Sequence, residues 1–225
     1  IGRATAEVLL DRGVAHLYAA VRRPDTGQPL VDADGEDRVP VVELDVTDED
    51  TVTAAAETAD NVTVLINNAG VLTPTEALAD DAPDQLEYEL DVNVRGVMSM
   101  CRAFVPVIRR NGGGAVANIN SVVSLATMNV IGTYSATKAA SFAYTQALRQ
   151  TLADDPIHVM SVHPGPIDTD MTDGMEMDKT DPTTVGEAIA DGLADETYLL
   201  FPDPWAEDFW EGFRQDPAAA FRGDF

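Results

Sequence analysis

The sequence contains a single cysteine, Cys101, and only two lysines, Lys138 and Lys179, among its 225 residues. One cysteine excludes an internal disulfide. No apolar run approaches the roughly 20 residues that a membrane-spanning helix needs. The first residues also lack the charged and apolar segments of a signal peptide. These absences together predict a soluble, cytoplasmic protein, and no metal site is expected.

Positive charge is also scarce, with 14 basic residues against 39 acidic ones and a formal net charge of −25. Such a charge repels nucleic acids and anionic membranes, so we expect neither as a partner. The acids are spread along the chain, and two explanations fit that spread. They are either an ordinary solvated surface or an adaptation to very high salt, where counter-ions screen the self-repulsion. The near absence of lysine favours the halophilic explanation.

Strand-like and helix-like segments alternate along the whole chain. Strands are predicted at residues 16–21, 39–44, 62–66, 115–120 and 157–162. Helices are predicted at residues 3–11, after Asp48, at about 84–110 and at about 134–152, with Gly13 as the C-cap of the first. The pattern predicts an α/β fold, a Rossmann-like doubly wound parallel sheet with helices on both faces. Since no linker or repeat divides the chain, residues 1–225 are expected to form one domain.

One segment between predicted strands, residues 26–38, is interpreted as a loop. It contains Gly27, Pro29 and Gly35 together with several acids. Glycine and proline interrupt regular structure, so no helix is expected there.

Tyr134 and Lys138 form the most informative pair in the sequence. Four residues apart on a predicted helix, they lie on one face and can interact. A free tyrosine ionises near pH 10, which is too high for proton transfer at neutral pH. A neighbouring lysine cation favours the phenolate, so we expect the pKa of Tyr134 to be lowered.

Further polar residues are predicted at the carboxyl edge of the same sheet. Ser121 follows a strand, at the edge where parallel sheets bind their ligands. Asn93 lies inside a predicted helix, where asparagine is a poor helix former. The turn that begins His163-Pro164-Gly165 follows the next strand.

These residues in this order resemble the short-chain dehydrogenase/reductase family over essentially the whole chain. The resemblance rests on Asn67-Asn68-Ala69-Gly70, Asn93, Ser121, Tyr134 with Lys138, and Pro164-Gly165 continuing to Thr169. It implies hydride transfer between a nicotinamide cofactor and a carbonyl or alcohol substrate.

The resemblance also implies a role for each catalytic residue. Tyr134 would donate the proton in reduction and accept it in oxidation. Lys138 would lower the pKa of that tyrosine and bind the nicotinamide ribose. Ser121 would hold the substrate oxygen, and the backbone carbonyl of Asn93 would fix a water that connects Lys138 to solvent.

The phosphate-binding end departs from the family pattern. Members open with a strand and a Thr-Gly-x-x-x-Gly-x-Gly turn, of which Ile1-Gly2 resembles only the last two residues. We therefore expect the first strand and most of the glycine-rich loop to be missing from this sequence.

In this family the residue at the end of the second strand indicates whether NAD or NADP is preferred. NAD-preferring members carry an acid there, whereas this chain has Val21 followed by Arg22 and Arg23. Two arginines suit a 2′-phosphate, so NADP is expected rather than NAD. The resemblance adds further cofactor-binding residues near the adenine, the ribose and the nicotinamide: Asp45, Val46, Asn68, Ala69, Gly70, Pro164, Gly165, Ile167 and Thr169.

The residues expected to face the substrate are apolar: Val123, Leu125, Met128, Pro166, Met171 and Met175. They suit an apolar aldehyde or ketone. Two other functions remain open, a cofactor-binding redox sensor without turnover and a sugar epimerase or dehydratase of the extended branch. The family resemblance also implies a homodimer or homotetramer formed through the long helices.

The acidic composition generates a prediction about salt. The Debye length falls from about 30 Å at 0.01 M salt to about 3 Å at 1 M, so strong salt screens repulsion among surface carboxylates. We expect a higher thermal midpoint and a higher initial rate in about 2 M KCl than in about 0.1 M KCl. Calorimetry and rate assays measure both quantities. Equal or greater stability in the dilute buffer contradicts salt adaptation.

Overall fold

The computed structural model describes residues 1–222 of the chain. Its helices are α1 (Gly2–Asp11), α2 (Gln28–Asp34), α3 (Glu49–Thr58), α4 (Ala82–Leu90), α5 (Val97–Arg110), α6 (Gly132–Thr151), α7 (Pro182–Ala194), α8 (Pro204–Gln215) and α9 (Pro217–Arg222). Its strands are β1 (Ala19–Val21), β2 (Val41–Glu43), β3 (Val64–Asn67), β4 (Gly114–Ile119), β5 (Ile157–Val162) and β6 (Leu199–Leu200).

The strands form two parallel sheets. β1 pairs with β2, and the other four follow the order β3-β4-β5-β6. Val116 of β4 lies between Leu65 of β3 and Val159 of β5 in the register. Parallel neighbours need a crossover connection, and helices supply most of these connections here.

Helices cover both faces of the four-stranded sheet. Val116 and Val159 pack into one core cluster with residues of α3, α5 and α6. Ala117 and Met160, the next residues along their strands, pack into another cluster with Val185 of α7. Successive strand residues point to opposite faces, so the two clusters lie on opposite sides of the sheet. The predicted α/β fold with a doubly wound parallel sheet is confirmed.

The interpretation of residues 26–38 as a loop is wrong, because α2 occupies most of the segment. Gly27 is the N-cap, Pro29 lies in the first turn, and Gly35 follows the helix with φ +86°. Proline is tolerated at the start of a helix and glycine is favoured just beyond its end. The residues that indicated a loop are the boundaries of a short helix.

The helix predicted at 84–110 is interrupted by a π-helical segment, Asp91–Gly96, between α4 and α5. Such π segments are rare and are frequently found at functional sites. Several predicted strand boundaries also move. β1 covers only residues 19–21 of the expected 16–21, β2 only 41–43 of 39–44, and β3 spans 64–67 in place of 62–66. Gly13 has φ +91° just after α1, as expected of a helix end.

None of the helices within residues 1–222 has the length and apolarity required to span a membrane.

Candidate active site

The carboxyl ends of β4 and β5 bring the candidate residues to one edge of the sheet. Ile119 pairs with Val162 at the last position of both strands. Ser121 follows β4 by two residues and begins a 3₁₀ turn, Val122–Ser124. Ligands of parallel sheets bind at this edge, beyond the strand ends.

Tyr134, Ser121 and Lys138 lie together at this edge. Tyr134 is in the first turn of α6, and its phenol is hydrogen-bonded to the Ser121 side chain. The Lys138 Nζ atom lies 5.6 Å from the centre of the Tyr134 ring and donates a hydrogen bond to the Ile119 carbonyl at 2.8 Å. All three side chains are buried.

Burial shifts the proton affinities of this pair toward the neutral forms. It raises the pKa of Tyr134, and the nearby Glu89 carboxylate raises that pKa further, whereas the Ser121 hydrogen bond lowers it. Burial also lowers the pKa of Lys138 to about 8. Lys138 is not among the groups that shift the pKa of Tyr134 here, and burial of the phenol is the largest influence on it.

Asn93 has a structural reason to lie within a helix. Its amide group is fully buried and pairs with both backbone groups of Val71, since Oδ1 accepts from the amide and Nδ2 donates to the carbonyl, each at 2.9 Å. Nδ2 also donates to the Thr137 hydroxyl of α6 at 3.0 Å. The side chain therefore connects the segment after β3 to the helix that carries Tyr134 and Lys138.

Gly70 lies in the resulting contact. A Cβ atom at this position would come within 3.3 Å of Asn93 Oδ1 and 3.5 Å of Lys138 Nζ. The distance to Asn93 Oδ1 is shorter than an ordinary van der Waals contact. Glycine is therefore the residue that fits here without a shift of its neighbours. Ala69 and Gly70 thus belong to a segment that passes directly beside the lysine.

The first turn of α1 lies beside the same segment. A Cβ atom on Gly2 would come within 2.5 Å of the Asn68 side chain, so these two predicted cofactor residues are adjacent. The turn contains no acidic residue, and its N-cap, Ile1, provides no side-chain hydrogen bond. The unpaired amides in the first turn of a helix favour an anion, which fits a cofactor phosphate.

Arg22 and Arg23 follow β1 on exposed backbone. Neither forms an ion pair with another described residue (1–222). Arg22 is close enough to Asp45 to lower the pKa of that carboxyl, after the larger effect of two hydrogen bonds from Thr47. A Cβ atom on Gly96 would collide with the Val46 side chain. The segment that contains Asp45 and Val46 therefore also contacts the π-helical segment.

The turn after β5 is held by a residue that the sequence analysis missed. The Gly165 amide donates to Asp203 Oδ2 at 2.8 Å, and Asp203 also caps α8. Asp followed by Pro204 is a recognisable helix start and could have indicated this residue. Pro164 is buried before this glycine, Ile167 is buried and bridges to Thr180, and Thr169 forms a capping box with Thr172.

Only some of the residues that were predicted to face the substrate lie together. Val123, Leu125 and Met128 pack in one apolar cluster with Tyr134, and aromatic side chains of α8, including Trp205, join it. Met171 is 41% exposed. Neither Met171, Met175 nor Pro166 packs in that cluster among the residues described.

Glu89 is a second residue that the sequence analysis missed. It is fully buried on α4, and its Oε1 accepts from the Thr73 amide at 2.7 Å. Its Oε2 has no hydrogen-bond partner within residues 1–222. A buried carboxylate among 39 acids has no distinguishing signal in the sequence, because its burial depends on the packing of α4 against α6.

Comparison with known proteins identifies many similar chains. A family model described as short chain dehydrogenase matches residues 1–180. An uncharacterized oxidoreductase of Staphylococcus aureus (strain N315) is 31% identical over 196 residues, which cover 84% of each protein. An uncharacterized oxidoreductase of Staphylococcus saprophyticus is 34% identical over 179 residues, which cover 77% of this chain and 72% of that protein.

Solved structures show the same similarity. A short chain dehydrogenase from Burkholderia cenocepacia in complex with NADP is 32% identical, with a TM-score of 0.88 over 97% of this chain and 90% of that one. A short chain dehydrogenase/reductase from Burkholderia phymatum in complex with NAD is 20% identical, with a TM-score of 0.84 over 96% and 89%. At that identity the second comparison shows the fold alone.

The buried contacts of Asn93 generate a stability prediction. Replacing it by leucine leaves the amide and carbonyl of Val71 without their partner, and each unsatisfied buried group costs about 1–3 kcal/mol. We expect Asn93→Leu to lower the free energy of unfolding by about 2–4 kcal/mol, as measured by urea titration. Asn111→Leu is the control, because Asn111 is exposed and water can replace its two hydrogen bonds. Equal losses in the two variants would contradict this role.

Proposed function

The chain belongs to the short-chain dehydrogenase/reductase family of oxidoreductases, and we propose that it transfers a hydride between NADP(H) and an apolar aldehyde or ketone or the corresponding alcohol. The observation that carries the proposal is the buried group of Tyr134, Ser121 and Lys138 at the carboxyl edge of the sheet. When bound, the nicotinamide group supplies or accepts the hydride.

Tyr134 is proposed to donate the proton to the substrate oxygen during reduction. Because burial raises the pKa of its phenol, the resting side chain is protonated at neutral pH. A protonated phenol is the form that a developing alkoxide requires. During reduction the proton would be held on Tyr134 Oη until the substrate oxygen becomes basic.

Ser121 is proposed to hold the same oxygen. Its hydroxyl is already hydrogen-bonded to the Tyr134 phenol and accepts from the Val123 amide at 3.3 Å. Two hydroxyls that point to one place can both contact a carbonyl oxygen there. Such pre-organised donors stabilise charge that develops in the transition state.

Lys138 is proposed to hold the cofactor ribose and to favour proton release from Tyr134. Its ammonium donates one hydrogen bond, to the Ile119 carbonyl, among the described contacts. An ammonium has three donors, so capacity remains for ribose hydroxyl groups. Gly70 lies beside the Lys138 Nζ atom, since a Cβ atom at that position would come within 3.5 Å of it.

The cofactor is proposed to be NADP, held near Gly2, Asn68 and the arginines after β1. The acid-free first turn of α1 supports phosphate binding, and the unpaired guanidinium groups of Arg22 and Arg23 support a 2′-phosphate. Asp45 beside Arg22 moderates that charge without removing it.

The substrate is proposed to be an apolar aldehyde or ketone. The cluster around Tyr134 consists of aliphatic, methionine and aromatic side chains, among them Val123, Leu125 and Trp205. Apolar walls with a few convergent polar groups are typical of small-molecule sites. The intact acid–base group supports turnover over the redox-sensor function.

We also propose that residues 1–225 form a single dinucleotide-binding domain that assembles as a homodimer or homotetramer. Both sheets contribute to one core cluster, which supports a single domain. Tyr88 of α4 and Met98 of α5 are 49% and 39% exposed, and such apolar exposure on the long helices supports assembly there.

Replacing Tyr134 by phenylalanine tests the mechanism. The variant keeps the ring and its packing but loses the proton donor, so kcat is expected to fall by about 100- to 10,000-fold. Titration of protein fluorescence with NADPH should give unchanged binding. Tyr88→Phe removes an exposed phenol of α4 and serves as the control. Near-normal turnover by Tyr134→Phe would remove this residue from the mechanism.

Replacing both Arg22 and Arg23 by glutamine tests the cofactor preference. One charge-assisted hydrogen bond contributes about 1.5–3 kcal/mol, so KM for NADPH should rise at least about tenfold. KM for NADH, which lacks the 2′-phosphate, should change little. Arg110→Gln, at an exposed arginine that ends α5, is the matched control. A parent protein that already prefers NADH refutes the NADP assignment.

A further inference from the structure

His163 is a buried titratable residue for which the proposed mechanism has no role. It follows β5 directly and is completely inaccessible to solvent. The ring lies edge-on to Phe142, with centroids 4.6 Å apart, and is stacked on Phe201 at 5.2 Å. Aromatic packing on both sides fixes the plane of the imidazole, so its two nitrogen atoms point in defined directions.

One ring nitrogen faces the catalytic serine. Nδ1 lies 3.1 Å from the Ser121 carbonyl oxygen and 3.0 Å from the Ser124 hydroxyl oxygen. The Ser124 hydroxyl donates its only hydrogen to the Ser121 carbonyl at 2.6 Å. A carbonyl oxygen can only accept, so the contact between Nδ1 and the Ser121 carbonyl is a hydrogen bond only when Nδ1 is the donor. Nδ1 must therefore carry a hydrogen.

The other ring nitrogen is fixed as an acceptor. Nε2 lies 2.7 Å from the Ser161 hydroxyl oxygen, which also accepts from Asn120 Nδ2 at 2.8 Å. The Ser161 hydrogen is thereby directed at Nε2. The hydrogen bonds run in one direction, from Asn120 through Ser161 and His163 to Ser121, and they select the Nδ1–H tautomer.

The ring also stays neutral. Burial lowers the pKa of His163 to about 4, and the nearby Lys138 cation acts in the same direction, while the hydrogen bond to Ser121 opposes it. A neutral ring retains one donor and one acceptor, which this arrangement requires.

We propose that His163 is a positioning residue for the reaction, holding the Ser121 carbonyl through Nδ1–H so that the Ser121 hydroxyl points at Tyr134. The proposal rests on the proposed function of Ser121. The Ser121 carbonyl also accepts from the Ser124 amide at 3.0 Å, so three donors converge on one oxygen. With the carbonyl held, rotation of the backbone at Ser121 is restricted, and the Val123 amide, which donates to the Ser121 hydroxyl oxygen at 3.3 Å, then holds the side chain.

The first experiment measures activity in a double-mutant cycle. His163→Leu has no ring donor and is expected to lower kcat at least tenfold in the wild-type background, with KM for NADPH unchanged. In the Ser121→Ala background the same substitution should have little further effect on kcat, because the group that His163 positions is gone. His163→Asn, which can donate to the same carbonyl, should recover part of the lost kcat.

The control is His158→Leu. His158 lies on β5, the strand that His163 follows, but its Nε2 contacts the Thr197 carbonyl at 2.9 Å, away from Ser121. Thermal midpoints of all variants separate positioning from loss of fold. A kcat effect of His163→Leu that persists undiminished without the Ser121 hydroxyl overturns the proposal.

The second experiment does not depend on turnover. Nitrogen-15 NMR of histidine-labelled protein should show His163 neutral and in the Nδ1–H tautomer at pH 6 to 8. Ser161→Ala should shift the Nε2 signal. An Nε2–H tautomer, or a charged ring at pH 6, overturns the proposal even if no carbonyl substrate is reduced. A parent protein that shows this tautomer but no turnover refutes the proposed function instead.

Discussion

The need to satisfy polar groups buried at the carboxyl edge of the four-stranded sheet determines the geometry of the site. Asn67 donates to Asn118, which donates to the Thr145 hydroxyl of α6, each within 2.9 Å. Asn120 also donates to the Thr145 hydroxyl, and it begins the series of hydrogen bonds that runs through Ser161 and His163 to Ser121. A buried polar group without a partner costs roughly as much as a typical destabilising mutation. Each side chain in these networks therefore has one favourable orientation, and the networks hold Ser121 and the helix that carries Tyr134.

The same burial shifts the charge states of Tyr134 and Lys138. A phenolate and an ammonium are both penalised when removed from water, so the pKa of Tyr134 rises and that of Lys138 falls to about 8. The tyrosine is consequently a proton donor at rest, and the lysine has access to both of its protonation states near neutral pH. Glu89 adds to this bias by opposing negative charge on the phenol. The environment, more than the pairing of the two side chains, sets the proton affinities.

Residues at strand ends could be predicted from the sequence, because the carboxyl edge of a parallel sheet collects them whatever the details of packing. The placement of Ser121 at a strand end and of Tyr134 and Lys138 on one helix face follows from position and spacing, whereas their roles were implied only by the family resemblance. The helix α2 could not be predicted, because the glycine and proline residues at its ends are also the residue types that are common in loops. The direction of the Tyr134 pKa depends on how deeply the phenol is buried. No spacing in the sequence measures that depth, and the same limitation concealed Glu89.

The surface charge and the buried site respond to different physical conditions. Carboxylates on the surface repel one another through water, and salt screens that repulsion within a Debye length. Groups such as Lys138 and His163 lie in the interior, where mobile ions do not enter and screening is weak. A net charge of −25 can therefore vary in its effect on folding while the proton affinities at the site stay nearly constant. The interior hydrogen bonds allow such a chain to hold its acid–base chemistry constant across a wide range of ionic strength, provided that the fold persists.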